Sequence, residues 1–209
     1  MPFPAKPSIV EIVNMSLGHL KCRKIASMSE NSVEAVEANR WYEPARREAL
    51  RGHDWTWATS VTTLALNATY AASASGVYAG KWKYAYTYPA NIVAIWHLYN
   101  EFTKNKSMGE DFRELYDSTN NQTVIVTDCE DALAEATFDL SDTTLFDSFF
   151  VTAFSYVLAA KMAPALTGDD SIADALLKKA NIAMSESERM NSYEQNVTEQ
   201  KTSSYQDAR

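Results

Sequence analysis

The spacing of apolar and polar positions changes character twice along the chain. Ser8-Ile-Val-Glu11 is a capping box, in which hydroxyl and carboxylate each satisfy part of the first helical turn. It predicts a helix from Ser8 to about His19, with Ile9, Ile12, Val13 and Leu17 on the buried face. Asn31-Ser-Val-Glu34 offers a second box, followed by the apolar stripe Ala35, Ala38, Tyr42, Ala45 and Ala49 running towards His53. Pro44 interrupts that stripe, so the segment reads either as one kinked helix or as two abutting helices. Its outward side carries Arg40, Arg46, Arg47 and Arg51, a cationic strip read either as a solvated face or as a partner surface.

From Trp55 the period shortens to two. Trp55, Trp57, Val61, Leu64 and Leu66 predict strand, and so do Trp82, Tyr84, Tyr86 and Tyr88, four aromatics expected to face one way. Ile92 to Tyr99 reads equally as a buried strand or a short helix. A polar excursion from Glu101 to Asn121 is expected to hold a helical turn at Asp111 to Tyr116, and Val124 to Val126 and Ala132 to Phe138 read as two further strands.

Helical period returns at Asp142-Thr-Thr-Leu-Phe-Asp147, where Thr144 and Asp147 form a capping pair for a helix over about Leu145 to Leu166. That helix is apolar on most sides, with a narrow polar line at Ser148, Thr152 and Ser155, and is expected at the centre of the core. Its uncharged run from Ser148 to Ala160 ends at Lys161 and Pro164, short of the roughly 20 residues that span a bilayer. Gly168 ends the helix, and a partner with Ile172, Leu176, Ala180, Ala183 and Met184 inward is expected to complete an antiparallel hairpin.

The fold class is therefore α+β: a mainly helical bundle with a β-rich insertion in the middle. Residues 1–54 supply the N-terminal helices, 55–140 the insertion and 141–190 the helical hairpin. Residues 191–209, poor in aliphatic side chains, read as a frayed tail or as an arm anchored by Tyr193 and Tyr205.

Charge narrows the function classes. The 19 Lys and Arg against 27 Asp and Glu give a net charge of −8, which opposes nonspecific binding of a nucleic acid while allowing DNA to pass without sticking. Cys22 and Cys129 have no neighbouring His or Cys that would complete a zinc set and read as free thiols. MPFPAK lacks the pattern of a secretory signal, so synthesis and folding in a cytoplasm are expected, and the five Asn-x-Ser/Thr sequons read as chance.

The expected site inventory is empty of chemistry: no catalytic residue, no metal ligand and no cofactor. Gly76 to Trp82 imitates a phosphate loop with one residue too few and a Trp where the metal-binding hydroxyl belongs. His19, His53 and His97 lie on unlike elements, and the acidic pairs Glu110/Asp111, Glu130/Asp131 and Asp169/Asp170 read as turns or helix starts. The aromatic row reads as packing on a helix or a second sheet, or, in one alternative, as the platform of a small carbohydrate-binding or carbohydrate-active protein.

Three landmarks in order resemble a known family. They are Arg46, Arg47 and Leu50 leading into Trp55-Thr-Trp57-Ala58, the strand end Tyr84-Ala-Tyr86-Thr-Tyr88-Pro89, and Asp142 to Asp147 opening a long Ala-rich helix. Over roughly Ser8 to Met190 the chain resembles the head-to-tail adaptors of T7-like short-tailed bacteriophages, the tail tubular protein A or gatekeeper family. Ala90-Asn91 departs from the more polar turn associated with that family.

The resemblance implies a non-enzymatic virion protein. Twelve copies would form a ring between the portal protein and the tail nozzle or tube, with double-stranded DNA passing through its channel. Ring closure needs unlike surfaces, and Arg40, Arg46, Arg47 and Arg51 facing Glu186 and Glu188 of a neighbour are one expected pairing. The segment with Tyr193 and Tyr205 is the expected portal-binding arm.

Overall fold

A computed structural model describes residues 6–67, 81–102, 109–118 and 120–194. The element order is α1 (Ile9–His19), α2 (Val33–Arg51), β1 (Thr59–Thr63), β2 (Tyr84–Thr87), β3 (Ile92–Tyr99), β4 (Phe112–Asp117), β5 (Gln122–Thr127), β6 (Leu133–Phe138), a 3-10 turn (Thr143–Leu145), α3 (Ser148–Thr167) and α4 (Asp170–Glu194). The class is α+β. Calls on the Gly76–Gly80 loop and on Tyr205 lie outside the described residues.

The helix ends follow from their caps. Ser8 and Glu11 form the expected reciprocal box, with the Ser8 N–H donating to Glu11 Oε2 at 2.7 Å. Ser32 caps α2 by accepting from the Ala35 N–H, and α2 runs through Pro44 as a single helix. The expected Thr144 and Asp147 pair resolves into two caps in series. Asp142 starts the 3-10 turn, and Asp147 accepts from the N–H groups of Phe149 and Phe150 to start α3. Gly168 closes α3 in the left-handed region at φ 66°, where a side chain would be strained.

Helix α3 packs on α1, α2 and most extensively on α4, and its Phe150, Phe154, Leu158 and Met162 are fully buried. By length and composition it is also the helix among the described residues that could cross a membrane, and half of its apolar window is buried within the protein. Trp55 and Trp57, expected in a strand, sit in a turn and belong to this core. Trp55 stands 5.1 Å and Trp57 4.8 Å from the Phe150 ring, and Trp57 lies 5.3 Å from Phe146. The Ala58 and Thr59 N–H groups both donate to the Trp55 carbonyl, so strand pairing starts only at Thr59.

The strands form two antiparallel three-stranded sheets, ordered β1-β6-β3 and β2-β5-β4. After β1 the chain crosses between them, and residues 65–67 pair with the outer edge of β2. Tyr86, Ile95, Leu98, Ile125, Ala134 and Ala136 fill the core the sheets share.

The segment Ile92 to Tyr99 is strand, and two register shifts explain why its pattern was ambiguous. The extra residues bring Ile92, Ile95 and Leu98, spaced by three as on a helix, into the same core. The helical turn expected at Asp111 to Tyr116 is instead strand β4, in which Phe112 and Leu115 pack into different clusters, as an odd spacing in a strand requires. Gly109 leads into β4 at φ 65°, and a Cβ there would stand 2.8 Å from the Leu98 carbonyl oxygen.

Candidate functional site

The expected cationic strip on α2 separates into one buried arginine and three exposed ones. Arg46 faces the protein and is only 2% exposed, which corrects its placement on the strip. Its guanidinium lies 2.6 Å from Glu43 and 2.7 Å from Asp139, and it donates to the Leu140 carbonyl. Burial works against the charged guanidinium, but the hydrogen bonds to Glu43 and Asp139 outweigh it and hold the pKa above its ordinary value. Arg46 therefore fastens α2 to the connection that leaves β6.

Arg40, Arg47 and Arg51 remain on the surface. Arg40 pairs with Glu37 at 2.8 Å, and Arg47 takes the second oxygen of Asp139 at 2.9 Å. Arg51 donates to the Val93 carbonyl at 3.0 Å. Arg47 and Arg51 also line a cleft of about 500 Å³ with Tyr88, Val93, Glu114 and Thr123, between α2 and the strands. Burial and the Glu114 carboxylate raise the Tyr88 pKa against the pull of Arg51, so the phenol stays neutral and available as a donor.

The acidic counterpart lies on α4. Glu186 is exposed and stands 3.6 Å from Arg189, whose guanidinium lies 5.8 Å from the centroid of the exposed Tyr193 ring. Glu188 is half-buried. Helix α4 continues to Glu194 through the expected start of the arm at 191, and Asn191 explains why. Its side chain accepts from the Thr56 N–H and hydroxyl, both at 2.9 Å, and donates to the Asp54 carbonyl at 3.1 Å. Tyr193 is thus a helical residue beside a buried clamp that sequence reasoning missed. An isolated asparagine in a polar stretch gives no signal of that role.

Of the aromatic row, Tyr86 is buried and Trp82, Tyr84 and Tyr88 are half-buried. Tyr86 is 2% exposed, and its hydroxyl donates to the Cys129 carbonyl at 2.9 Å and accepts from the Ala132 N–H at 3.2 Å. Tyr84 and Tyr88 pack against the same core, whereas Trp82 precedes β2 and packs with Ala85, Val124 and Val126. The expectation that all four face one way is therefore corrected to three directed towards the shared core, with Trp82 in a different cluster.

His19 stands 3.1 Å from the Ser155 hydroxyl, a separation compatible with a base and a nucleophile. Ser155 is fully buried and gives its hydrogen to the Thr152 carbonyl at 2.7 Å, so it accepts from the imidazole. The pair joins α1 to α3. His53 lies 3.3 Å from Asp54, and Asp169 starts α4 by accepting from the Ser171 N–H. Cys22 and Cys129 are free, and no cluster of three or more His, Cys, Asp or Glu suited to a metal ion occurs among the described residues. In comparison with known proteins, no family model and no curated sequence matches the chain.

Proposed function

We propose that the protein is a structural subunit of a bacteriophage virion, a non-enzymatic head-to-tail adaptor of the tail tubular protein A or gatekeeper kind. Twelve copies would form a ring in the neck that joins the portal to the tail nozzle or tube and surrounds the DNA exit channel. In this reading the four helices form the bundle of each subunit, and the sheets are an insertion between α2 and α3. The observation that carries the reading is the convergence of its landmarks. Trp55 and Trp57, which follow α2, pack directly on Phe146 and Phe150 at the start of α3. Two motifs nearly a hundred residues apart are parts of one joint, so their joint occurrence is a single packing requirement and not two coincidences.

The ring contact is assigned to Arg40, Arg47 and Arg51 against the α4 side that carries Glu186, with Arg46 removed from the set. The net charge of −8 suits a wall past which DNA slides, because an acidic surface gains nothing from counterion release. Residues 195–209 remain the proposed portal-binding arm. Truncation belongs after Glu194, since a cut at Met190 would also remove the Asn191 clamp.

Sedimentation of the purified protein with the portal ring of its own virus tests the reading. A saturable complex holding many copies is expected, lost on Arg47→Glu while the variant still melts cooperatively as a folded protein. A chain that never joins an intact portal rules the adaptor out.

A further inference from the structure

We propose that β1 is a self-complementary edge through which two copies of the free protein pair, each β1 running antiparallel to the other about Val61. The bonding register shows which peptide groups are open. The Phe138 N–H donates to the Ala58 carbonyl at 2.9 Å and the Leu64 N–H to the Ala132 carbonyl at 3.0 Å, flanking the register Thr59↔Thr137 to Thr63↔Leu133. Bonded pairs alternate in an antiparallel ladder, so Ser60 and Thr62 bond to β6, while Thr59, Val61 and Thr63 turn their peptide groups away. The Thr59 N–H is taken by the Trp55 carbonyl at 2.7 Å. Val61 and Thr63 have no hydrogen-bond partner on that side among the described residues, and the Val61 side chain is 49% exposed.

The other edges are protected, as exposed sheet edges usually are. Residues 65–67 cover β2 through Asn67 N–H to Ala85 and Thr87 N–H to Ala65. Strand β3 is bulged twice, and Glu110 and Arg51 donate to its Leu98 and Val93 carbonyls. Strand β4 carries Arg113, Glu114 and Asp117. Among the described residues, β1 is the one of these edges with neither charge, nor proline, nor cover.

The occupant follows from the sequence of the edge itself. Thr59-Ser60-Val61-Thr62-Thr63 has the same chemistry read in either direction, a central valine flanked by hydroxyl residues. Under a twofold axis at Val61, Thr59 meets Thr63 of the second copy and Ser60 meets its Thr62. Each Val61 N–H then donates to the carbonyl of its counterpart, and each Thr63 N–H reaches a Thr59 carbonyl. The nearest strand charge is Glu135, opposite Val61 on β6. The two copies of Glu135 would lie three strand spacings apart, about 14 Å, beyond the roughly 8 Å screening length at physiological salt. A charged or bulky foreign strand has no such match. This contact is isologous and cannot recur around a cyclic ring, so it belongs to the unassembled protein and stands apart from the adaptor reading.

Amide hydrogen exchange of the full chain across a concentration series, with sedimentation in parallel, tests the pairing. The expected result is a dimer in which the Val61 and Thr63 amides become protected as concentration rises, while Ser60 and Thr62 are protected throughout. Val61→Lys places like charges opposite each other and should raise the dissociation constant by about tenfold or more. Thr63→Pro, which removes an outward donor without touching the β6 ladder, should do the same if the lysine variant misfolds. A monomer at every concentration, or an oligomer whose Val61 amide exchanges as freely as in the monomer, overturns the proposal. Neither result bears on binding to the portal.

Discussion

Around α3 the core is built from large rings, with Trp55, Phe146 and Phe154 each packed on Phe150. The core shared by the two sheets is built mostly from alanines and short aliphatic residues, with Tyr86 as its largest fully buried side chain. The difference lies in what holds each region in register. Ring-on-ring contacts concentrate the energy of the helical region in a few side chains. In the sheets it is spread over backbone ladders, and a single hydroxyl ties β2 to the turn before β6.

The largest expected effect comes from the helical joint. Phe150→Ala removes the ring on which Trp55, Trp57, Phe146 and Phe154 converge and should cost about 3–5 kcal/mol in denaturant unfolding. Arg46→Ala should cost about 1–3 kcal/mol, because the Leu140 carbonyl and Asp139 lose a buried charged donor while Asp139 keeps Arg47, whereas Arg47→Ala, on the same carboxylate but exposed, should cost no more than about 1 kcal/mol. Equal melting curves for the two arginine variants would contradict the division of the strip.

In the sheets, Tyr86→Phe deletes one hydroxyl that both donates and accepts and should cost about 1–3 kcal/mol, read as faster amide exchange in β2, β5 and β6 ahead of the helices. Exchange that rises uniformly through both regions would show that they unfold as one unit. The smallest effect is a pH dependence confined to the α1–α3 contact. Burial, with Lys179 adding to it, lowers the His19 pKa below 6.5, and the neutral ring stacks 4.0 Å from Tyr156. The unfolded chain takes up the proton more readily, so this contribution is complete above about pH 6.5. It is lost as pH falls through the lower folded value. His19→Gln should flatten that part of the urea midpoint profile.

What was legible follows from locality. The Ser8 and Glu11 box, the α2 stripe and the Gly168 stop depend on residues within one or two turns, and each lies where its pattern put it. Patterns failed where a distant contact outweighed a local one. Trp55 and Trp57 alternate like a strand but are claimed by Phe150, and the spacing of three in β3 is a strand corrected by bulges. Arg46 and Arg47 are neighbours that share the Asp139 carboxylate, but Arg46 lies on the buried helix face with Tyr42 and Leu50, four residues to either side, and Arg47 lies outside it.

By itself the sequence determined the helices, the Ser8 cap and the Gly168 stop, the α+β class and the acidic character of the chain, because these rest on short-range hydrogen bonding, side-chain period and a sum of charges. Tertiary structure alone decided what Arg46 fastens, that Asn191 clamps the end of α4, that Tyr86 is buried, and that β1 is left open among the described residues. Each of these depends on which surfaces meet after the chain has closed on itself, and no pattern of neighbours along the chain encodes that meeting.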